Sequence, residues 1–222
     1  MAEEGSKRVE IAGSEDKRQI TGTFAGTLDG SFLPFQLIYQ GKTTQCHPKF
    51  KFPDEFHITE SENHWANGRT MNDYIDKIIL PYVNKVKDDL DLPLGQRALV
   101  IFDCFRWQIT EEFTAKLSAN RLIYVTIPPN CTDLLQPMDL SVNKSAKSFL
   151  KNEFESWYAA QVCDQLSGSA DINEVKVDLS LTRMKPLGAK WLTKLYDYMK
   201  TKPEIVINGF REAGISSVLG LD

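Results

Sequence analysis

Residues 98–103 read ALVIFD, which is five apolar residues followed by one carboxylate. An unbroken apolar run of this length suits a short strand buried on both faces of a sheet. Asp103 would then leave the sheet at the carboxyl edge of the strand, where open α/β sheets place their sites. The stretch therefore predicts an α/β fold with a carboxylate presented at a sheet edge.

A second apolar run, LIYVTI, occupies residues 122–127 and is stopped by Pro128 and Pro129. Between the two runs, residues 110–119 have the composition of a short helix. Strand, helix and strand in this order predict a parallel βαβ unit with a right-handed crossover. Both strands are expected to be buried on both faces, because neither shows apolar and polar alternation.

A second aspartate, Asp139, lies just ahead of a helix predicted over residues 141–163. Adjacent parallel strands end at one edge of a sheet, so Asp103 and Asp139 are expected side by side. Two close carboxylates repel unless a cation or a proton lies between them. Mg²⁺ is commonly held by one or two carboxylates plus substrate phosphate, and a pair of ions can support phosphoryl displacement. From spacing alone, Asp139 fits a helix N-terminal cap equally well.

The first part of the chain predicts a β-hairpin. Two β-rich runs, 19–28 and 32–39, flank the turn signal Asp29–Gly30. Residues 43–69 then read as a long polar loop with scattered aromatic residues.

The remaining segments predict helices. Apolar residues fall at helical spacing from 71 to 90, with Pro81 predicting a kink near Leu80. The long helix at 141–163 carries a row of lysines, and another helix is predicted over 184–200.

Composition and charge exclude several classes of protein. The 222 residues suit one domain, and no apolar run approaches the ~20 residues that span a bilayer. The N-terminus has no apolar signal-peptide core, so we expect a soluble protein that does not use that export route. The four cysteines form no CxxC pair, which argues against a zinc site. A net charge of −4 argues against nucleic-acid binding by bulk positive charge, but not by local basic patches.

Four runs carry a resemblance to a known family: NHW at 63–65, LVIFD at 99–103, PPNCTDLLQPMD at 128–139 and SVNK at 141–144. They look like the DDE superfamily endonuclease domain of pogo-like transposases, a group with Tigger and jerky-type relatives. The NCTDLLQPMD string is highly specific. The match runs from Gly5 to at least Ala160, and VINGFREAGI at 206–215 fits the family's C-terminal end.

The resemblance implies an RNase H-like fold, which is a mixed five-stranded sheet flanked by helices. Residues 1–165 would form the DDE endonuclease-like domain, and 166–222 a C-terminal helical extension of the same domain. It also implies three acids that bind two Mg²⁺ or Mn²⁺ ions for DNA strand cleavage and transfer. By the motif match, Asp103 is the second acid and Asp139 the third, so both are expected catalytic metal ligands.

Three residues after Asp139 are the expected nucleic-acid contacts, again by resemblance. Asn143 and Lys144 belong to the same motif, and Lys147 follows one turn later on the lysine row. An ordinary solvated helix N-terminus is the alternative interpretation of these side chains.

The chain departs from the family in two places. The family's first acid lies on a central first strand that would precede the matched stretch, and Glu10, Asp16 and Asp29 are poor substitutes because none ends a buried strand. We therefore expect the first, central strand to be missing, with the sheet either closed by residues 7–13 or unstable alone. The family also commonly has glycine where this chain has Trp107, whose indole is expected to crowd the metal site or alter the loop.

Two functions follow from the resemblance. The first is a DNA-binding domain derived from a pogo-like transposase, with ancestral Mg²⁺-dependent strand cleavage and transfer impaired by the absent first acid. With two of three acids present, whether the chain is an active enzyme stays open. The alternative is a domesticated, non-catalytic module for DNA association or dimerisation. DNA is the expected partner, a homodimer is a candidate assembly, the nucleus is the expected location, and no membrane is involved. A plain α/β domain with capping aspartates is disfavoured by the motif string.

Overall fold

The computed structural model describes residues 20–93, 95–103, 105–168 and 174–221. Short strands and helices alternate along the first half of this part of the chain, and helices alone fill the second half. The strands are β1 (Ile20–Thr23), β2 (Gln36–Gln40), β3 (His57–Ser61), β4 (Ala98–Phe102) and β5 (Leu122–Thr126). The helices are α1 (Gly68–Tyr74), α2 (Leu80–Asp89), α3 (Glu111–Ala119), α4 (Thr132–Leu135), α5 (Asn143–Ser167), α6 (Leu181–Lys200), α7 (Pro203–Glu212) and α8 (Ile215–Val218).

The described strands form two sheets. In the first, β1 pairs antiparallel with β2 and β2 pairs parallel with β3, and in the second, β4 pairs parallel with β5. This mixed α/β arrangement, with small sheets flanked by helices, is consistent with the RNase H-like fold that the sequence predicted. Among the described residues, β1 and β4 each have one paired edge. Residues 7–13, expected to close the sheet, lie outside the described part of the chain.

The hairpin at the start of the described chain is confirmed. Ile20 of β1 lies opposite Tyr39 of β2, and an isolated bridge joins Gly26 to Phe32 beyond the ladder. At the tip, Gly30 has φ +90°, a left-handed value that glycine adopts without steric cost. The strands are shorter than predicted. β1 has four residues, and its regular pairing with β2 ends at Thr23.

The prediction of a long polar loop over 43–69 was wrong for part of this segment, which contains β3. The strand pairs along its whole length with β2. Its buried residues are Thr59 and Ser61, which are polar. The apolar alternation by which strands are recognised in sequence is therefore absent here.

The kink predicted near Leu80 is confirmed as a break in the regular helix. A π-helical turn over Ile75–Ile79 separates α1 from α2, and Pro81 is the second residue of α2. Because the backbone stays helical through Ile79 and Leu80, Pro81 removes one N–H from a continuous helical segment, and the irregular π-helical turn lies directly before it. The fully buried apolar side chains of this helical segment end at the same place. Those within 71–79 belong to the core, whereas Leu90 is exposed.

Two apolar clusters hold the fold together. The first joins the hairpin to the C-terminal helices and includes Phe35, Leu37, Tyr196 and Met199. The second joins α1 and the π-turn to β4, α3 and β5. Helices α6 and α7 thus contribute directly to the core that the hairpin needs.

The expectation that β4 and β5 are buried on both faces was wrong. On one face, Phe102 and Leu122 pack against α3. On the other, Leu99 is 62% exposed, Ile123 44% and Val125 50%. The physical reason is that α3 covers one face, and the described helices α5, α6 and α7 pack mainly on the other sheet.

The helices predicted at the C-terminal end are present. The helix expected over 141–163 is α5, and the one expected over 184–200 is α6. None of the described helices is long and apolar enough to cross a membrane.

Candidate functional site

Asp103 lies directly after β4 and is half-buried. The chain that leaves the neighbouring strand β5 folds back over the end of β4, because the Ile127 N–H donates to the Phe102 carbonyl at 2.9 Å. Five residues further on, the Thr132 hydroxyl donates to Asp103 Oδ1 at 3.4 Å. Asp103 is therefore tied to the segment that leads to Asp139.

Asp139 lies within a π-helical turn, Met138–Val142, that leads directly into α5. Its side chain is exposed and accepts a short hydrogen bond from the Asn143 side-chain amide, one turn later. Asp139 is not the cap residue, because Pro137 occupies that position and no side chain makes a capping hydrogen bond, but it lies in the first turn, where a carboxylate complements the helix dipole. π-Helical turns are rare and often occur at functional sites.

Helix α7 braces the turn that carries Asp139. A Cβ atom built on Gly209 would lie 2.2 Å from the Pro137 carbonyl oxygen, so only glycine permits this approach. On the hairpin side, a Cβ atom at Gly26 would lie 2.5 Å from Val206 of the same helix. The segment 206–215, noted in the sequence only as a family-like C-terminal end, thus connects the acid-bearing turn to the hairpin.

The three predicted nucleic-acid contacts differ in their surroundings. Asn143 is held by Asp139, whereas Lys144 and Lys147 are exposed and form no ion pair with any described residue. The third lysine of the row, Lys151, lies 3.6 Å from Glu155 and is partly neutralised by it. Lys144 and Lys147 are therefore the two lysines of the row that can meet an anionic partner.

Trp107 packs against the second apolar cluster. Its ring lies next to Gly68 at the start of α1, and the Arg106 guanidinium lies 4.9 Å from the ring centroid. The loop after Asp103 therefore turns so that the indole is partly buried against α1. Whether the indole crowds the metal site or alters the loop stays a prediction.

Asp103 and Asp139 have the donor chemistry that a divalent ion requires. By the motif match they are two of the family's three acids. Asp103 and Asp139 supply carboxylate oxygens, which are the ligands that Mg²⁺ and Mn²⁺ prefer. Within the described ranges there is no cluster of three or more His, Cys, Asp or Glu side chains that could hold a metal ion. One Mg²⁺ is commonly held by one or two carboxylates together with substrate phosphates, so two aspartates correspond in number to a one-ion site.

Sequence reasoning missed a groove beside α5. Its volume is about 580 Å³, and its walls come from the π-helical turn Met138–Val142, α5, α6 and α7. A signal was present where this turn continues into α5, since Ser141, Ser145, Ser148 and Asn152 recur at helical spacing. The opposite wall could not be predicted, because it comes from helices that are distant in sequence.

Comparisons with known proteins give a consistent result. The family model described as DDE superfamily endonuclease matches residues 17–185. A human protein described as "Pogo transposable element with ZNF domain" is 21% identical over 93% of this chain and 14% of its own length. A mouse protein described as "Pogo transposable element with KRAB domain" is 24% identical over 92% of this chain and 30% of its own length. The chain thus spans less than a third of these relatives, and no solved structure gives a significant match.

Proposed function

We propose that the chain, which belongs to the DDE superfamily endonuclease family, is a DNA-associating domain derived from a pogo-like transposase. The family match and the pogo relatives confirm the resemblance that the motifs indicated. A transposase-derived, nucleic-acid-related function follows from it. DNA as the partner and the nucleus as the location are parts of the proposal.

Asp103 and Asp139 are proposed as ligands of one Mg²⁺ or Mn²⁺ ion. The observation that carries this is the hydrogen bond from Thr132 to Asp103, which ties the end of β4 to the loop that leads to Asp139. Asn143 would orient the Asp139 carboxylate through its side-chain amide. When bound, the ion would supply positive charge for a phosphate oxygen of DNA.

Lys144 and Lys147 are proposed to contact the DNA backbone, with Asn143 beside them. Because the chain carries a net charge of −4, its affinity for DNA must come from such local positive groups. Both lysines are exposed and free of ion pairs with described residues, and they lie on the helix that begins next to Asp139.

Catalysis is proposed to be impaired, and 166–222 to belong to the same domain as the sites. The first proposal rests on the motif match, which assigns Asp103 and Asp139 to two of the family's three acids. The second is supported by α6 and α7, whose side chains share a core with the hairpin. A non-catalytic, domesticated module is the alternative form of the same proposal.

The metal proposal predicts that Mn²⁺ binding depends on both aspartates. Isothermal calorimetry on the whole chain is expected to detect Mn²⁺ binding, and Asp103→Asn or Asp139→Asn is expected to weaken it more than about tenfold. This is a minimum, because mutating residues that only orient metal ligands already lowers metal affinity by about 10–100-fold.

Asp89→Asn is the matched control, since Asp89 is an exposed acid at the end of α2, outside the proposed site. It should bind Mn²⁺ as the unmodified chain does. If all three variants bind Mn²⁺ equally, Asp103 and Asp139 are not metal ligands and the proposal fails.

Self-association is a second candidate function, favoured by the exposed apolar face of β4 and β5. Leu99 lies opposite Ile123, and Ile101 lies opposite Val125, so these four side chains form one face next to the edge of β4 that pairs with no other described strand. Exposed apolar faces and open strand edges commonly mark sites of association between chains.

Sedimentation equilibrium tests this candidate. The chain is expected to show twice the monomer mass, and Leu99→Lys is expected to return it to the monomer mass. Leu90→Lys is the control, because Leu90 is exposed to a similar degree, 63%, and lies at the end of α2. A chain that remains monomeric at high concentration would exclude dimerisation through this face.

A further inference from the structure

The groove between α5 and the C-terminal helices has the dimensions of a ligand site. Its volume of about 580 Å³ lies within the roughly 300–1,000 Å³ that is usual for such sites. One wall is a face of α5 together with Leu140 and Ser141 of the π-helical turn that leads into it, and the other is formed by Tyr198 of α6 and Glu212 of α7. No residue predicted to be catalytic lines it.

The α5 wall presents polar groups that have no partner within the described chain. Ser141, Ser145 and Ser148 offer three hydroxyls, and Asn152 offers an amide. None of these four side chains makes a hydrogen bond to another described residue. Lys144 adds an exposed ammonium group at the same wall, without an ion pair among the described residues. These groups can donate to phosphate and sugar oxygens.

The remaining lining adds an aromatic surface and an acceptor. The Phe149 and Tyr198 rings stack with centroids 4.9 Å apart and planes inclined by 27°, and both rings are half-buried at the groove. Aromatic side chains of this kind stack on nucleobases without preference for sequence. Glu212 is exposed and can accept from a base amino group, whereas it would repel a phosphate at that end.

The groove and the acid-bearing face lie on different sides of α5. Asn143, which contacts Asp139, and Ser145, which lines the groove, are two residues apart, so their side chains point to nearly opposite sides of the helix. The exposed Lys144 and Lys147 lie between these two faces. A strand could therefore pass from the acid-bearing face across the lysines to the groove.

We infer that this groove holds one nucleotide of a single DNA strand. The sugar and phosphate lie along the serines and Lys144, the base lies against Phe149 and Tyr198, and Glu212 accepts from the base. The inference rests on the proposed DNA association, which it deepens by naming a strand-binding site apart from the aspartates. The mixed lining, with one cation and one anion at separate places, suits a nucleotide better than a bare anion.

Filling the groove tests the inference. Ser148→Trp and Asn152→Trp each place an indole in the groove from an exposed helix position. Each is expected to weaken binding of a labelled single strand of about 12 nucleotides by about tenfold, measured by fluorescence anisotropy. Binding of a blunt duplex is expected to change less than about twofold, because its bases are already stacked on one another.

Two control variants separate this inference from the proposed function. Ser156→Trp makes the same change at an exposed α5 residue outside the groove, and should leave single-strand binding unchanged. Lys147→Gln should weaken single-strand and duplex binding alike, since it removes one phosphate contact.

If both tryptophan variants in the groove, folded by circular dichroism, bind the single strand as the unmodified chain does, the groove inference is overturned and DNA association stands. If the unmodified chain binds neither probe, the proposed function and the inference fall together.

Discussion

Replacing Phe35 by alanine is expected to lower the free energy of unfolding by about 3–5 kcal/mol, the usual cost of truncating a buried phenylalanine. Phe35 is fully buried and lies at the centre of an aromatic cluster. Its ring centroid lies 4.5 Å from that of Phe24, 5.1 Å from that of Phe56 and 5.6 Å from that of Tyr196. Its contacts join the hairpin, the segment before β3 and helix α6. The cavity left by the alanine side chain would therefore affect three parts of the core.

Urea denaturation followed by circular dichroism measures this effect. Small proteins have a total unfolding free energy of about 5–15 kcal/mol, so the variant should unfold at a much lower urea concentration. Phe105→Ala is the matched control, because Phe105 is 37% exposed and lies in the loop after β4. It should cost less than about 1 kcal/mol. Equal losses for the two variants would show that the aromatic cluster is not the main core.

Local signals in the sequence were sufficient for the hairpin and most helices. The Asp29–Gly30 turn requires a residue that tolerates positive φ, and Gly30 has φ +90° in the structure. Helix α6 was predicted because its apolar side chains recur every three or four residues, and Leu192, Leu195, Tyr196 and Met199 face one core. Such signals depend only on residues that are near one another in the chain.

Features that depend on distant neighbours were missed or mispredicted. Strand β3 buries Thr59 and Ser61, whose polar side chains give no apolar pattern. The β4 run is apolar throughout, yet Leu99 is exposed, since burial depends on what covers the sheet and not on the strand itself.

The candidate site also contains features set by near neighbours in sequence, which could be predicted, and features set by distant neighbours, which could not. Asp139 and Asn143 are one helical turn apart, and their sequence motif placed them together before the structure did. The contact of Thr132 with Asp103 required the parallel pairing of β4 and β5, which brings the end of one strand beside the loop after the other. The groove also needed Tyr198 of α6 and Glu212 of α7, whose positions could not be predicted from α5 alone.

Gly209→Ala is expected to destabilise the protein by about 1–3 kcal/mol or more, the range for overpacking of a well-packed contact. The added Cβ atom would lie 2.2 Å from the Pro137 carbonyl oxygen and 3.0 Å from its carbonyl carbon. Both are backbone atoms, which cannot rotate out of the way as a side chain can. Helix α7 must therefore move away from the turn that carries Asp139, and hydrogen exchange at 138–143 is expected to become faster.

Gly188→Ala makes the same chemical change with the opposite expected sign. Gly188 lies inside α6, and a Cβ atom there would meet no atom within 4 Å. Alanine is favoured over glycine in a helix interior by about 1 kcal/mol, so this variant should be slightly more stable than the unmodified chain. Both glycines lie in helices and share that intrinsic gain, so the difference between the variants isolates the contact with Pro137. If thermal unfolding shows both variants stabilised, α7 does not brace the turn. If Gly209→Ala alone is destabilised and also binds Mn²⁺ more weakly, the brace supports the carboxylate of Asp139 as well as the fold.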